Sequence, residues 1–566
     1  MILKSKATTD SDFSNTSFSN SYSSSCNDSF ATDNSSSTDN RSSTDNIPPK
    51  YKSIIEKWVS KDSELRPSPD LLEISSYQEP VSLEEQEYKS KRLVKAFDDL
   101  NFAVSVEQVV TGPVVSRYDI RIAPGVRTMT IVNLESDLQQ SLMCRNINII
   151  ATVPGTPFIG IEIPNDKRQM IRLGDVLDSV DFSQSKAKLP IGLGVDSKGP
   201  NVIADLTDAP HLLIAGTKGS GKTSLLNSML LSLLLAKSPD ELRLILVDPK
   251  TNEFSQYQNL PHLLTPIITD PDSTVATFEW LIKEMERRYK LLSLMHQSKI
   301  SELNDFIKEK NLRGEKVYDP MWCGNNEENQ PELKTVPYIV LVIDEFADLM
   351  AVASVIGKKD DTTPQSLIAR LTAKASAAGI HLILATDSPR ADILTGMIKA
   401  DIPSNIAFTV QDEKESRIIL YEGGAQKLLG KGDMLVKYKD LNHAQMFRAQ
   451  APFVSSEEIE RVVAALHLYY GDPEYVEGIT ESKKEDVSVN NGIFDDENCD
   501  ISKTPLDPKL VEVVDYARAN YIQVRRFSVT ELQTSFGFGY NRARKIYRQM
   551  QSLHILDDKG YLNLNR

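Results

Sequence analysis

At 566 residues, with 40% hydrophobic and 25% charged positions, the sequence has a globular composition and room for about three or four domains. It has no apolar run of the roughly 18 residues a membrane span needs and no apolar secretory leader. Cys26, Cys144, Cys323 and Cys499 lie too far apart for a CxxC pair, so a reducing, cytoplasmic setting without a disulfide framework or zinc site is expected. The net charge of −15 disfavours nucleic acid at first sight, but charge is local and its distribution decides.

Residues 1–50 hold fifteen serines, and Thr-Asp-Asn recurs at 32–34, 38–40 and 44–46. Almost nothing there can form a core, so 1–79 reads as a disordered tail and linker. A helical pattern begins at Leu83 and runs through Tyr88, Leu93, Val94, Phe97 and Leu100. Strand-like runs follow at 104–110, 114–122, 147–153 and 159–163, punctuated by Gly112-Pro113, Pro124-Gly125 and Pro154-Gly155. This gives a small α+β domain over 80–185, with no nucleophile, metal cluster or phosphate loop of its own.

From 186 to 470 apolar strands alternate with helices. The strand candidates are 212–215, 244–247, 339–343, 382–385 and 406–410. They are continuously apolar, as in a parallel sheet buried on both faces, so the class is α/β. A helix is expected from Thr277 to Met295, and the polar stretch 311–335 reads as a loop. Residues 471–505 are acidic and form a linker. Residues 506–566 read as three helices and a hairpin, a C-terminal winged helix. Over 504–566 there are ten basic and six acidic residues, so this end is +4.

Two stretches carry chemistry. His211-Leu-Leu-Ile-Ala215 leads into Gly216-Thr217-Lys218-Gly219-Ser220-Gly221-Lys222-Thr223-Ser224, then Leu225-Leu226. Strand, glycine loop and helix in this order match a phosphate loop. Its backbone N–H groups and helix N-terminus would hold the phosphates of ATP. Lys222 would reach the β- and γ-phosphates, and the Thr223 hydroxyl would ligate Mg²⁺. About 120 residues on, Tyr338-Ile-Val-Leu-Val-Ile-Asp344-Glu345 is an apolar strand ending in two acids, the Walker-B pattern. Asp344 would hold Mg²⁺ and Glu345 would deprotonate the attacking water.

Over roughly 80–566 these residues resemble the FtsK/SpoIIIE DNA translocases. The resemblance rests on Arg117-Tyr118 with Ala123-Pro-Gly-Val126, Gly160-Ile-Glu-Ile-Pro-Asn165, Val247-Asp-Pro-Lys250 and Pro261-His-Leu-Leu264. It continues in Glu284-Met-Glu-Arg-Arg-Tyr289, Asp344-Glu-Phe-Ala-Asp-Leu349, Ala378-Gly-Ile-His381 and Gly396 with Ile398-Lys399-Ala400. Gly430 with Gly432-Asp-Met-Leu435, and Gly539-Tyr-Asn-Arg542, complete it. It implies a RecA-like P-loop ATPase motor between the α+β domain and the winged helix, assembled as a homohexamer around double-stranded DNA. A Xer-type tyrosine recombinase is an implied partner. The family's membrane-spanning N-terminal domain has no counterpart, so recruitment to the inner membrane or division site would need another protein.

The resemblance also places Arg370 and Arg417 as candidates for the arginine a neighbouring subunit inserts at the transferred phosphoryl group. Either is equally readable as a surface salt-bridge arginine. Lys250, Arg390 and Lys399 would touch DNA phosphates in the pore. Asn541, Arg542, Arg544, Lys545 and Arg548 would meet DNA through the winged helix, reading a purine-bearing, G-rich motif or touching phosphate without sequence preference. Three departures stand out. Ala385-Thr-Asp387-Ser388-Pro389 replaces the family's Ala-Thr-Gln-Arg-Pro, Ser376 stands where Arg is usual, and Arg544 and Lys545 alter the recognition helix. An acid at 387 beside phosphate is expected to limit turnover. The reading is therefore an ATP-driven DNA translocase of chromosome segregation and cell division. Its alternatives are an ATP-binding DNA scaffold with impaired hydrolysis and a conjugation-type DNA pump.

Overall fold

Short apolar runs separated by turn residues can bury themselves only by pairing, and here they pair into two sheets. The computed structural model describes residues 69–75, 81–144, 146–322, 330–355, 363–439, 441, 445–480 and 509–520. Towards the C-terminus it adds 527, 532, 535–536, 546–551, 553 and 555–556.

The first sheet is four-stranded and antiparallel, in the order β1 (Val104–Thr111), β2 (Val115–Ile122), β4 (Ile159–Pro164), β3 (Asn148–Ile150). The helix Leu83–Asp99 opens on a Ser82 cap, whose hydroxyl accepts from Glu85 N at 3.2 Å. Its Leu93, Ala96 and Phe97 pack on Tyr118, Ile120 and Ile161 of the sheet. Gly112 makes the β1–β2 turn. A Cβ there would lie 2.1 Å from Ser197 O, so no larger residue fits.

The second sheet has nine strands: β5 (Pro190–Asp196), β6 (Asn201–Asp205), β7 (His211–Ala215), β8 (Leu242–Val247), β9 (Tyr338–Ile343), β10 (Ile380–Thr386), β11 (Ser404–Ala407), β12 (Asp433–Lys437) and β13 (Phe447–Gln450). Their spatial order is β6-β5-β13-β12-β11-β7-β10-β9-β8. From β11 to β8 the pairing is parallel, with Leu384 between Leu213 and Ile343. These are the apolar runs that mark a sheet covered on both faces. From β11 to β6 the pairing is antiparallel, an extension the sequence pattern does not announce. Pro190, Gly192 and Gly194 weaken the strand signal of β5, and β13 has four residues. The run read as 406–410 ends at Ala407, because the chain beyond it turns to support the phosphate loop.

The helix Lys222–Ala236 is buried on nearly every face, with Leu225, Leu230 and Leu233 fully inside. The helix Pro271–Leu294 starts earlier than its apolar spacing suggests, because Asp270 caps it and Pro271 takes the first position. Residues 471–479, read as the start of the linker, are held on the motor. Val476 N donates to Leu264 O at 2.8 Å, and Ile479 lies in the motor core. At the C-terminal end the helix Leu510–Asn520 shares a core with Phe527, Leu532, Ile546, Met550 and Leu556. The tail at 1–50, the linker over 481–508, and Asn541, Arg542, Arg544 and Lys545 lie outside the described residues. Among the described residues no helix is long and apolar enough to cross a membrane.

Candidate active site

In a parallel sheet the strand ends at one edge form a ready crevice, and four of them meet here. β7 ends in the phosphate loop, β8 in Asp248-Pro249-Lys250, β9 in Asp344-Glu345, and β10 in Thr386-Asp387.

The phosphate loop is shaped by its glycines. Gly216, Gly219 and Gly221 have φ of 157°, 76° and 123°, and a Cβ at Gly221 would lie 2.6 Å from Gly432 N. The loop is tied down from outside. Thr217 N donates to Thr409 O at 2.8 Å, and Gly432 N donates to Ser220 O at 2.7 Å. The Ser220 hydroxyl is buried without a protein partner, and nothing lies within 4 Å of a Cβ on Gly219. Lys222 Nζ donates to Gly216 O at 2.6 Å and Thr217 O at 3.1 Å. Burial lowers the Lys222 ammonium, against the opposing pull of Asp387, Glu345 and Asp344. Lys218 is exposed, and Ser224 Oγ donates to Pro452 O at 2.8 Å. Beside Gly221 and Ser224 lies a cavity of about 410 Å³, walled by Met170, Ile171, Pro452 and Phe453.

Across the crevice Asp344 is pushed up to about 7, first by burial and then by Glu253, Asp248 and Glu345. This excess of acid beside Lys222 is a field that a divalent cation neutralises. Glu345 is 2% exposed. It accepts from Thr386 Oγ1 at 2.7 Å, from Asp387 N at 3.2 Å and from Lys250 Nζ at 3.2 Å. Burial, then its bond with Asp387, raises the Glu345 carboxyl. The same bond is the main influence that lowers Asp387.

The structure thus brings Lys222 and Thr223, after β7, and Asp344 and Glu345, after β9, to the two sides of the end of β10. It places the other predicted residues differently. Lys250, expected on DNA, turns inward, with Asp348 at 3.5 Å and Asp387 at 3.6 Å as well as Glu345. Its ammonium is held well above the ordinary lysine range, because these carboxylates outweigh burial. Asp387, expected as an acid beside phosphate, is paired with that lysine and accepts from Ser388 Oγ at 3.3 Å. Lys399 Nζ donates to Ile418 O at 3.0 Å and lies over the Tyr421 ring. Arg390 is exposed, 3.5 Å from Asp392. Arg370 pairs with Glu286 and Arg417 with Glu413, each side chain more than half exposed. Arg548 is half-buried beside the C-terminal core. Sequence reasoning gave no role to Thr386, Thr409 or Gly432. Position at a strand end was the signal available for Thr386.

Residues 172–391 match the FtsK/SpoIIIE family, and 66–165 match the FtsK alpha domain. The chain is 42% identical over 499 residues to the DNA translocase FtsK of Haemophilus influenzae, covering 88% of this chain and 90% of that one. It is 40% identical over 503 residues to the DNA translocase FtsK of Shewanella oneidensis, covering 88% of this chain and 53% of the relative. The chain therefore spans about half the length of this second relative. A solved structure of the pCW3 conjugation coupling protein TcpA, in its monomer form with ATPγS, is 24% identical with a TM-score of 0.43, covering 66% of this chain and 96% of that one. An identity of 42% across most of both chains, with a phosphate loop built at the head of a mixed sheet, means that this chain belongs to the FtsK/SpoIIIE family.

Proposed function

We propose that this protein hydrolyses ATP to drive itself along double-stranded DNA. The observation that carries the reading is that the phosphate loop after β7 and Glu345 after β9 flank the end of β10, whose Thr386 is bonded to both. The Thr386 hydroxyl donates to Glu345, and its carbonyl accepts from Gly216 N at 3.3 Å. Triphosphate would lie on the N–H groups of 217–223 and on Lys222, which offer a fixed positive field where charge develops. The cavity beside Gly221 and Ser224 would take the base and ribose. Thr223 and Asp344 fit Mg²⁺: a hydroxyl and one carboxylate leave the remaining positions to water and phosphate. That ion would neutralise the β- and γ-oxygens. Glu345 would take the proton of the attacking water.

In the finer form of the proposal, six copies ring the duplex and Arg370 or Arg417 reaches a neighbour's nucleotide. Arg390 and Lys399 would meet DNA phosphates, and Asn541, Arg542, Arg544, Lys545 and Arg548 would choose the loading site. A Xer-type recombinase and a cytoplasmic setting follow from the same family reading. The test is ATPase activity of the purified full chain with and without duplex, alongside displacement of a third strand from DNA. DNA-stimulated hydrolysis with displacement is expected. ATP binding without turnover would favour the scaffold reading.

A further inference from the structure

We propose that Lys250 is a positioning residue for Glu345: its ammonium holds the base at the head of β9, and Asp348 and Asp387 hold the ammonium. This rests on the hydrolysis reading above and adds a residue to it.

The argument begins with the backbone. Lys250 stands three residues beyond the end of β8, in a turn folded around Asp248, which is 1% exposed. One oxygen of Asp248 accepts from Lys250 N at 3.1 Å, and the other accepts from Glu253 N at 2.8 Å and Phe254 N at 3.0 Å. Phe254 is fully buried, which anchors the far side of the turn. The turn cannot swing freely, so Lys250 leaves it in a fixed direction. That direction is inward. Its Nζ lies 3.2 Å from Glu345, 3.5 Å from Asp348 and 3.6 Å from Asp387.

An ammonium carries three donors and no acceptor, and here three carboxylates surround it. A lysine held this way is a poor phosphate ligand for DNA, because leaving would strand acids that face one another. Asp387 has a use in the same arrangement. Glu345 alone would hold the lysine from one side. Asp387, just past the end of β10, and Asp348 on the helix Phe346–Val355 hold it from two others. The lysine thus ties the ends of β8, β9 and β10 together at the base. Misplacing a reacting group by about 1 Å can slow a reaction about a hundredfold.

The experiment compares Lys250→Met, Lys250→Arg and Glu345→Gln in the full-length chain. It measures kcat and KM for ATP with and without saturating duplex, together with DNA affinity. Lys250→Met is expected to lower kcat roughly 30- to 100-fold in both conditions, at near-parental KM and DNA affinity. Lys250→Arg should recover most of that loss. A variant of Lys250→Met with parental kcat and weakened DNA affinity overturns the proposal and returns the lysine to the pore. So does Lys250→Arg as slow as the methionine variant. Lys250→Gln keeps a polar head and is read by the same criteria where the methionine variant fails to fold. Parental kcat in Glu345→Gln removes the base assignment and this proposal with it. Parental kcat in Lys250→Met beside a slow Glu345→Gln removes this proposal alone.

Discussion

Arg448 on β13 donates to Glu162 on β4 at 2.7 Å and to Asp433 on β12 at 2.6 Å. The three residues are 9%, 4% and 2% exposed, so the charges are held out of water and depend on one another. They join the first sheet to the second beside Gly432, whose N–H holds the phosphate loop at Ser220. Removing the arginine leaves two buried carboxylates without a counter-charge, whereas removing Glu162 would leave Arg448 still paired with Asp433. Arg448→Met should therefore lower the unfolding free energy by about 3–5 kcal/mol. Urea unfolding measures it, and a loss below about 1 kcal/mol would show that the triad is solvated in solution.

Lys222 is buried in the phosphate loop while Lys218 is exposed, and the Lys222 Nζ already sits on loop carbonyls. Lys222→Ala should abolish ATP hydrolysis while leaving the fold intact, since the loop is held by backbone bonds from Thr409 and Gly432. DNA-stimulated hydrolysis equal to the parent, at a parental melting temperature, would remove Lys222 from its role.

Local pattern made much of this legible. The runs at 212–215 and 339–343 are unambiguous because parallel strands buried on both faces must be apolar throughout. The phosphate loop and Asp344-Glu345 were legible because each motif is contiguous. What stayed hidden depends on distant pairing. β12 and β13 complete the sheet only across the chain, and Glu162 meets Arg448 over 286 positions. Lys250 shows the same limit: its charge suggested DNA, but the fold supplied three carboxylates from three other segments.

Arg370 and Arg417 rest on Glu286 and Glu413 within their own chain. Exposed pairs of this kind contribute about 0–1 kcal/mol, so either arginine can leave for a neighbour's phosphate at small cost. Arg370→Ala or Arg417→Ala should then lose turnover with ATP binding retained. Mixing the inactive arginine variant with Lys222→Ala should restore part of the activity, because some interfaces carry both groups. No restoration for either arginine rules out action in trans.

Three buried histidines make the fold acid-sensitive. Burial lowers His211 to about 3, with His381 nearby adding to it, and lowers His262 and His381 to about 4. The folded values lie below the ordinary 6.5, so the unfolded chain binds more protons beneath that pH. Stability is complete above about pH 6.5 and falls as pH drops towards 4, by roughly 1.4 kcal/mol per unit for each histidine. Asp344, raised to about 7, works in the opposite sense over the same range and offsets part of this loss. The urea midpoint should still be lower at pH 5.5 than at pH 7.5, and His262→Gln should reduce the difference. Equal midpoints would mean that the three rings reach water.

Asp387 decides between two opposite expectations. Beside bound phosphate an extra acid repels, so its removal should strengthen ATP binding and speed the reaction. The structure adds a second effect. Asp387 holds Lys250 at 3.6 Å, and its backbone N donates to Glu345 at 3.2 Å. Asp387→Asn keeps the backbone bond and removes the charge that steadies the lysine. The repulsion acts on the phosphate in the ground state and the transition state alike, so relieving it mainly lowers KM. The clamp acts on the placement of Glu345, which matters at the moment the water attacks, so loosening it lowers kcat. The expected result is a lower KM with a kcat down by about threefold to tenfold, since two of the three carboxylates on Lys250 remain. Steady-state ATPase kinetics at saturating DNA separate the two parameters. A rise in kcat would mean that the repulsion is stronger in the transition state than in bound ATP, and that Asp387 restrains the enzyme instead of ordering its site.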